Sequence, residues 1–203
     1  MSWGAALWLL RPAYIAIELL VAAAATGGYR LDDDIVSDLG AVGCSPAFCS
    51  PRHELMNGTF VGAGLLLALG AVLLAARLGP AVTALLVVAG LSTVATGLAP
   101  VDEDPTLHGL AATPLFVCQP LALLLRGRRL RPAHVRTAGA VFLTGSLSAA
   151  AAVGFLLVGD GAGAGVLERL ALWPVIIALA GVAVVLVGPT VTTDGHAHPR
   201  EAR

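Results

Sequence analysis

Apolar residues fill most of this chain in long runs, and polar residues gather in the gaps between them. Six runs carry the pattern: Pro12 to Tyr29, Asn57 to Ala76, Ala81 to Ala99, Thr106 to Leu125, Thr137 to Val158 and Leu170 to Gly188. Each is close to the ~20 mostly apolar residues that a helix needs to cross a bilayer. Only helices and closed barrels satisfy the backbone in lipid, and these runs lack the alternation of barrel strands. The pattern predicts an all-α polytopic membrane protein, a bundle of six transmembrane helices forming one domain over residues 1–203. The first run has a rival reading as a secretory signal peptide cleaved near Ala22 to Ala25. Glu18 inside the run and the lack of a basic start at Met1 argue against it.

Composition sharpens this picture. Charged residues are 12% of the chain, against about 25% for a soluble domain, and hydrophobic residues are 57%. The net charge of -1 supplies no basic face for nucleic acid, so none is expected as a partner. All 12 basic residues are Arg, a bias that suggests a GC-rich bacterial genome. Their placement predicts orientation. Arg11, Arg77, Arg126, Arg128, Arg129, Arg131, Arg136, Arg200 and Arg203 fall on one side, and Arg30, Arg52 and Arg169 on the other. Both termini are then cytoplasmic, in a multi-pass protein of a bacterial inner membrane. The basic cytoplasmic loop covers residues 126–136, and residues 189–203 form a disordered tail. Most acids fall outside, including Asp32, Asp33, Asp34, Asp38, Glu54 and Asp102 to Asp104.

The outer loop, residues 30–56, holds Cys44 and Cys49, which an oxidising exterior would allow to pair or which are two free thiols. Cys118 reads as a packing residue. The spacing of Gly58 and Gly62 suits close helix contact in lipid, a weak signal in a chain with 24 Gly. His196 and His198 in the tail are too few for a metal site.

Candidate chemistry sits at the outer ends of the spans. In "APVDEDPTLHGLAA" three acids and a His lie within ten residues. Asp104 before Pro105 is a helix start, the carboxylate capping free amides. His108 falls one turn on, on the same face, where a carboxylate above it would orient the imidazole for proton transfer or metal binding. Asp38 in "SDLG" and His53, Glu54 and Asn57 in "RHELMNG" lie at similar depth, with Asn57 as the expected N-cap of the second span. Glu18 is the one acid within a predicted span, and such residues are functional candidates by default. Burial favours its neutral form, which could hand a proton to an apolar substrate. Gln119 is the expected hydrogen-bond partner, and Arg11 could draw Glu18 toward the inner interface.

The order of these elements resembles the bacterial membrane proteins grouped as domain-of-unknown-function family 998. That family shows a Ser-x-x-Gly element after the first helix and a Gly-x-x-Pro-x-Asp segment leading to a His. The matching positions are Ser37, Leu39, Gly40, Asn57, Gly97, Pro100, Asp102 and His108. The likeness is clear over the first four spans and rests on hydropathy in the last two. It implies the topology and draws attention to Asp102 and His108, but implies no substrate.

The expectation is a membrane enzyme acting on a lipid-like or isoprenoid substrate by acid–base chemistry, for instance proton-initiated terpenoid cyclisation. Glu18, Asp38, Asp102, Asp104 and His108 are its candidate catalytic residues, and His53, Asn57 and Gln119 would bind substrate. No metal or other cofactor is expected, since no ligand signature stands out. The alternative is a non-catalytic bundle that binds membrane lipid, a hydrophobic small molecule or a partner protein. A transporter ranks third, because six spans are few and no inverted repeat is visible.

Overall fold

The computed structural model describes residues 2–130, 135–159 and 161–187. Its helices are α1 (Trp3–Leu10), α2 (Ala13–Ala22), α3 (His53–Leu73), α4 (Ala75–Leu78), α5 (Pro80–Leu98), α6 (Pro105–Leu130), α7 (Val135–Val158) and α8 (Ala164–Val187). Six stretches are long and apolar enough to cross a membrane, α1 and α2 together making the first. This is a multi-pass membrane protein. Among the described residues the strand pairing amounts to a single bridge, Thr26 to Cys49.

The spans form a closed ring. α1 and α2 pack on α3, α3 on α5, α5 on α6, α6 on α7, α7 on α8, and α8 returns to α1. Glycines set the closest approaches. A Cβ on Gly64 would lie 2.5 Å from the Gly90 carbonyl, and one on Gly90 would lie 2.7 Å from that of Gly64, so α3 and α5 touch backbone to backbone. Gly70 leaves room for the Trp8 indole, which donates to the Leu67 carbonyl at 3.2 Å. Gly58 and Gly62 are different, since a Cβ at either would meet no neighbouring atom. Their spacing marks an open groove, not the helix contact that it suggested.

Prolines shape the spans. Pro12 lacks the N–H that would continue the helix, and α1 gives way to α2 through a tight turn, with Arg11 N–H on the Trp8 carbonyl at 3.2 Å and Tyr14 N–H on that of Arg11 at 3.0 Å. In α6, Pro114 opens one turn, and the Ser92 hydroxyl from α5 bridges it. Ser92 Oγ accepts from the Leu115 amide at 3.0 Å and donates to the Ala111 carbonyl.

Several boundaries differ from expectation. The first span begins at Trp3, so Arg11 lies near its middle and not before it. α3 starts at His53, which places Asn57 inside the helix and not at its N-cap. α8 starts at Ala164, six residues before Leu170, so Glu168 and Arg169 are helical and Glu18 is not alone as an acid within a span. α6 runs on to Leu130, carrying Arg126, Arg128 and Arg129 in its last turns, where cations oppose the helix dipole. Arg131, His134, Asp160 and the tail with His196 and His198 lie outside the described residues.

Candidate functional site

The loop between α2 and α3 folds back over one end of the ring and is pinned there by many of the residues singled out above. Its centre is a 3-10 turn, Val36–Gly40. From this turn Ser37 reaches His108 of α6, with Oγ 2.8 Å from Nε2. His108 Nδ1 lies 2.6 Å from the Ala99 carbonyl. That carbonyl can only accept, so Nδ1 carries a proton, and in the neutral ring Nε2 accepts from the Ser37 hydroxyl. Asn57 Nδ2 donates to the Gly40 carbonyl at 2.8 Å, and a Cβ on Gly40 would lie 2.2 Å from Asn57 Oδ1, so a larger residue there would displace the Asn57 amide. Asp102 accepts from the amides of Val42 and Gly43 at 3.0 and 2.7 Å. Its carboxyl is held below the ordinary range. Partial burial pushes it up, but the Gly43 and Val42 amides and the nearby His53 outweigh this. Cys44 and Cys49 are disulfide-bonded, closing the tip of the loop.

His53, Asn57, Asp102, Asp104 and His108, whose shared membrane depth suggests one outward-facing pocket, are each tied to a different partner. Asp104 caps α6, accepting from the Leu107 amide at 2.9 Å, and its carboxylate is not the partner of the His108 ring. His53 Nδ1 lies 3.0 Å from the Ser50 carbonyl. Asp38 and Asp102 line a shallow recess of about 470 Å³ beside Cys44 and Phe48, whereas His53, Asn57, Asp104 and His108 are not among its walls. The reason is topological. α3 and α6 are separated by α5 in the ring, and the 3-10 turn fills the space between their ends.

Glu18 has an unexpected partner. Its fully buried carboxylate accepts from Arg169 Nε at 2.9 Å and from the Trp173 indole at 2.8 Å, not from Gln119. Arg169 Nη2 donates to the Tyr29 hydroxyl at 2.6 Å, and its Nη1 donates to the carbonyls of Leu31 and Asp34 at 2.7 and 3.0 Å. The neighbouring Glu168 accepts from the Val36 amide at 2.5 Å. One turn of α8 therefore ties α2 and the loop together through a buried ion pair. The early start of α8 was legible only in "VLERLALW", where an apolar run crosses two charges.

A third cluster was missed as a cluster. Arg11, Tyr14 and Gln119 are 3%, 5% and 4% exposed. They line a small central cavity of about 30 Å³ with Phe60, Thr93 and Ile176. Arg11 Nε and Nη1, Tyr14 Oη and Gln119 Oε1 have no partner among the described residues. Arg11 and Tyr14 also line a groove of about 330 Å³ between the first span and α3, floored by Gly58, Gly62 and Ala63 and reaching Glu54 at the loop end. Gln119 was a candidate; its companion Arg11 was placed outside the membrane. The available signal was the apolar run Trp3 to Leu10 before it, which makes "LLRPAY" intramembrane.

The molecule is thus a six-span membrane bundle whose interhelical loop is locked down by Ser37, Gly40, Asn57, Asp102 and His108. The chain belongs to the family described as protein of unknown function (DUF998), whose model matches residues 11–185. No curated protein and no solved structure matches it.

Proposed function

We propose that this protein is a multi-pass protein of the bacterial cytoplasmic membrane, with both termini in the cytoplasm, that binds a lipid-like molecule within its bundle without transforming it. The observation that carries this reading is the groove between the first span and α3, where Arg11 and Tyr14 sit buried with polar atoms unpartnered. A buried polar group without a hydrogen bond costs free energy, and an unpaired charge costs far more. Binding sites in membrane bundles are where such costs are met by a ligand. Acid–base catalysis on a lipid or isoprenoid draws less support. A general acid or base must reach a substrate proton, yet Glu18, Asp104 and His108 are each engaged by protein partners.

Groove-filling substitutions test the reading. Gly58→Leu and Gly62→Leu project into open space, so the fold should persist with a melting temperature within a few degrees of the parent. Native mass spectrometry of protein extracted in mild detergent should show a retained apolar molecule on the parent and its loss from both variants. Equal retention by all three, or none on the parent, would reject the groove as the binding site.

A further inference from the structure

Resting on the groove reading above, we infer that its ligand is a single-chain amphiphile bearing a carboxylate, and that this carboxylate enters the bundle to pair with Arg11. Arg11 lies near the middle of the first span, at the break between α1 and α2. At neutral pH its guanidinium is a cation. Among the described residues no acid is paired with it: Glu18 is committed to Arg169 and Trp173, and Glu168 to the Val36 amide. Glu54 is exposed at the groove mouth, nine residues before Ala63 on α3, and so about 13 Å away at the helical rise. A cation held in hydrocarbon without a counter-ion is a demand for an anion.

The remaining polar atoms fit the same occupant. Tyr14 Oη can donate to a carboxylate oxygen, as the guanidinium does, and a planar guanidinium matches a planar carboxylate. Gln119 can turn its amide N–H toward the same point, since its Oε1 is bound to nothing. Size argues against a larger head. The central cavity of about 30 Å³ has room for one or two waters or a carboxylate, not a substituted phosphate. The groove of about 330 Å³ lies at the small end of ligand sites, ~300–1,000 Å³, which suits one chain and not two. Its walls are Leu10, Ile17, Leu55 and Leu66 along its length, with Thr59 and Glu54 toward the mouth. The chain then lies along α3 while the acid sits at its inner end.

The test uses the full chain, delipidated and placed in phosphatidylcholine nanodiscs, with dansyl-labelled undecanoic acid as the probe. Palmitate, hexadecanol and dioleoyl phosphatidylglycerol compete for it. Palmitate should displace the probe at roughly ten- to hundredfold lower concentration than hexadecanol, the size of a charge-assisted hydrogen bond. Arg11→Met should erase that preference while leaving weak chain binding, and Arg11→Lys should keep part of it. Palmitate should raise the melting temperature of the parent but not of Arg11→Met. Without ligand, Arg11→Met should melt no lower than the parent, because it removes an uncompensated charge; a structural arginine would give a large drop. Equal displacement by acid and alcohol, or an acid preference that survives Arg11→Met, overturns the carboxylate inference and leaves the groove reading intact. Phosphatidylglycerol as effective as palmitate overturns the single-chain assignment. A parent that binds no probe overturns the carboxylate inference, and the groove reading then rests on the retained molecule read by native mass spectrometry.

Discussion

Glu18 is 0% exposed and carries two hydrogen bonds, one from a guanidinium. A buried ion pair contributes little over an apolar pair of the same shape, but removing one partner strands the other. Glu18→Gln and Arg169→Met should therefore each lower unfolding free energy by about 3–5 kcal/mol. The double variant should cost clearly less than the sum, because neither charge is then stranded. Denaturant titration in detergent for the four proteins measures this, and simple additivity would mean that the pair is not a coupled unit. Glu18 was visible in the sequence as an intramembrane acid; its partner was not. Arg169 stands 151 positions away, next to an acid, and charge alone does not say which buried group it meets. Arg11 shows the reverse failure: it was visible as a charge, but a span boundary drawn at Pro12 moved it out of the membrane.

At the scale of elements, the 23–52 segment is held by its contacts with α3, α6 and α8 and not by a core of its own. Asp102 gives this attachment a pH dependence. Its folded carboxyl sits below the unfolded value of about 3.9, so its contribution is present above that pH and is lost as pH falls through the folded value. The protection of the Val42 and Gly43 amides, taken relative to their intrinsic exchange rates, should fall on acidification below about pH 4, while the spans stay protected. Asp102→Ala should show fast exchange at these two amides at neutral pH, with no acid step; an unchanged step would assign the pH dependence to another group. The helices themselves were legible from hydropathy, because lipid leaves few alternatives to a helix. Their ends were not. His53 and Glu54 are polar yet open α3, and Glu168 and Arg169 are charged yet helical, the latter two because long-range partners replace the water that hydropathy assumes. The roles of Ser37, Asn57, Asp102 and His108 were half legible. Their types suggested chemistry, but only the 3-10 turn placed between α3 and α6 reveals them as pins.

For the whole molecule, the corrected boundaries strengthen the charge asymmetry on which the proposed orientation rests. Arg11 is central and Arg169 is committed to Glu18, so neither belongs to a loop count. By sequence, eight arginines then count toward the connections and tail expected on the cytoplasmic side (Arg77, Arg126, Arg128, Arg129, Arg131, Arg136, Arg200 and Arg203), and Arg30 and Arg52 toward the other. Three of the eight are fixed to that end by geometry. Arg77 donates to the Leu186 carbonyl, Arg126 to the Arg77 carbonyl and Arg129 to the Leu78 carbonyl, so the basic groups also satisfy carbonyls at helix ends. The Cys44–Cys49 disulfide at the opposite end fits an oxidising compartment. The proposed orientation, with arginines retained in the cytoplasm, puts both termini inside and opens the groove toward the outer leaflet near Glu54. Cysteine labelling decides it. In a Cys118→Ala background that keeps the disulfide, Glu103→Cys should react with a membrane-impermeant maleimide on intact cells. Val135→Cys, at a position 72% exposed, should react only after the membrane is permeabilised. The opposite pattern would invert the topology and turn the mouth of the groove to the cytoplasm, so that any amphiphile would enter from the inner leaflet.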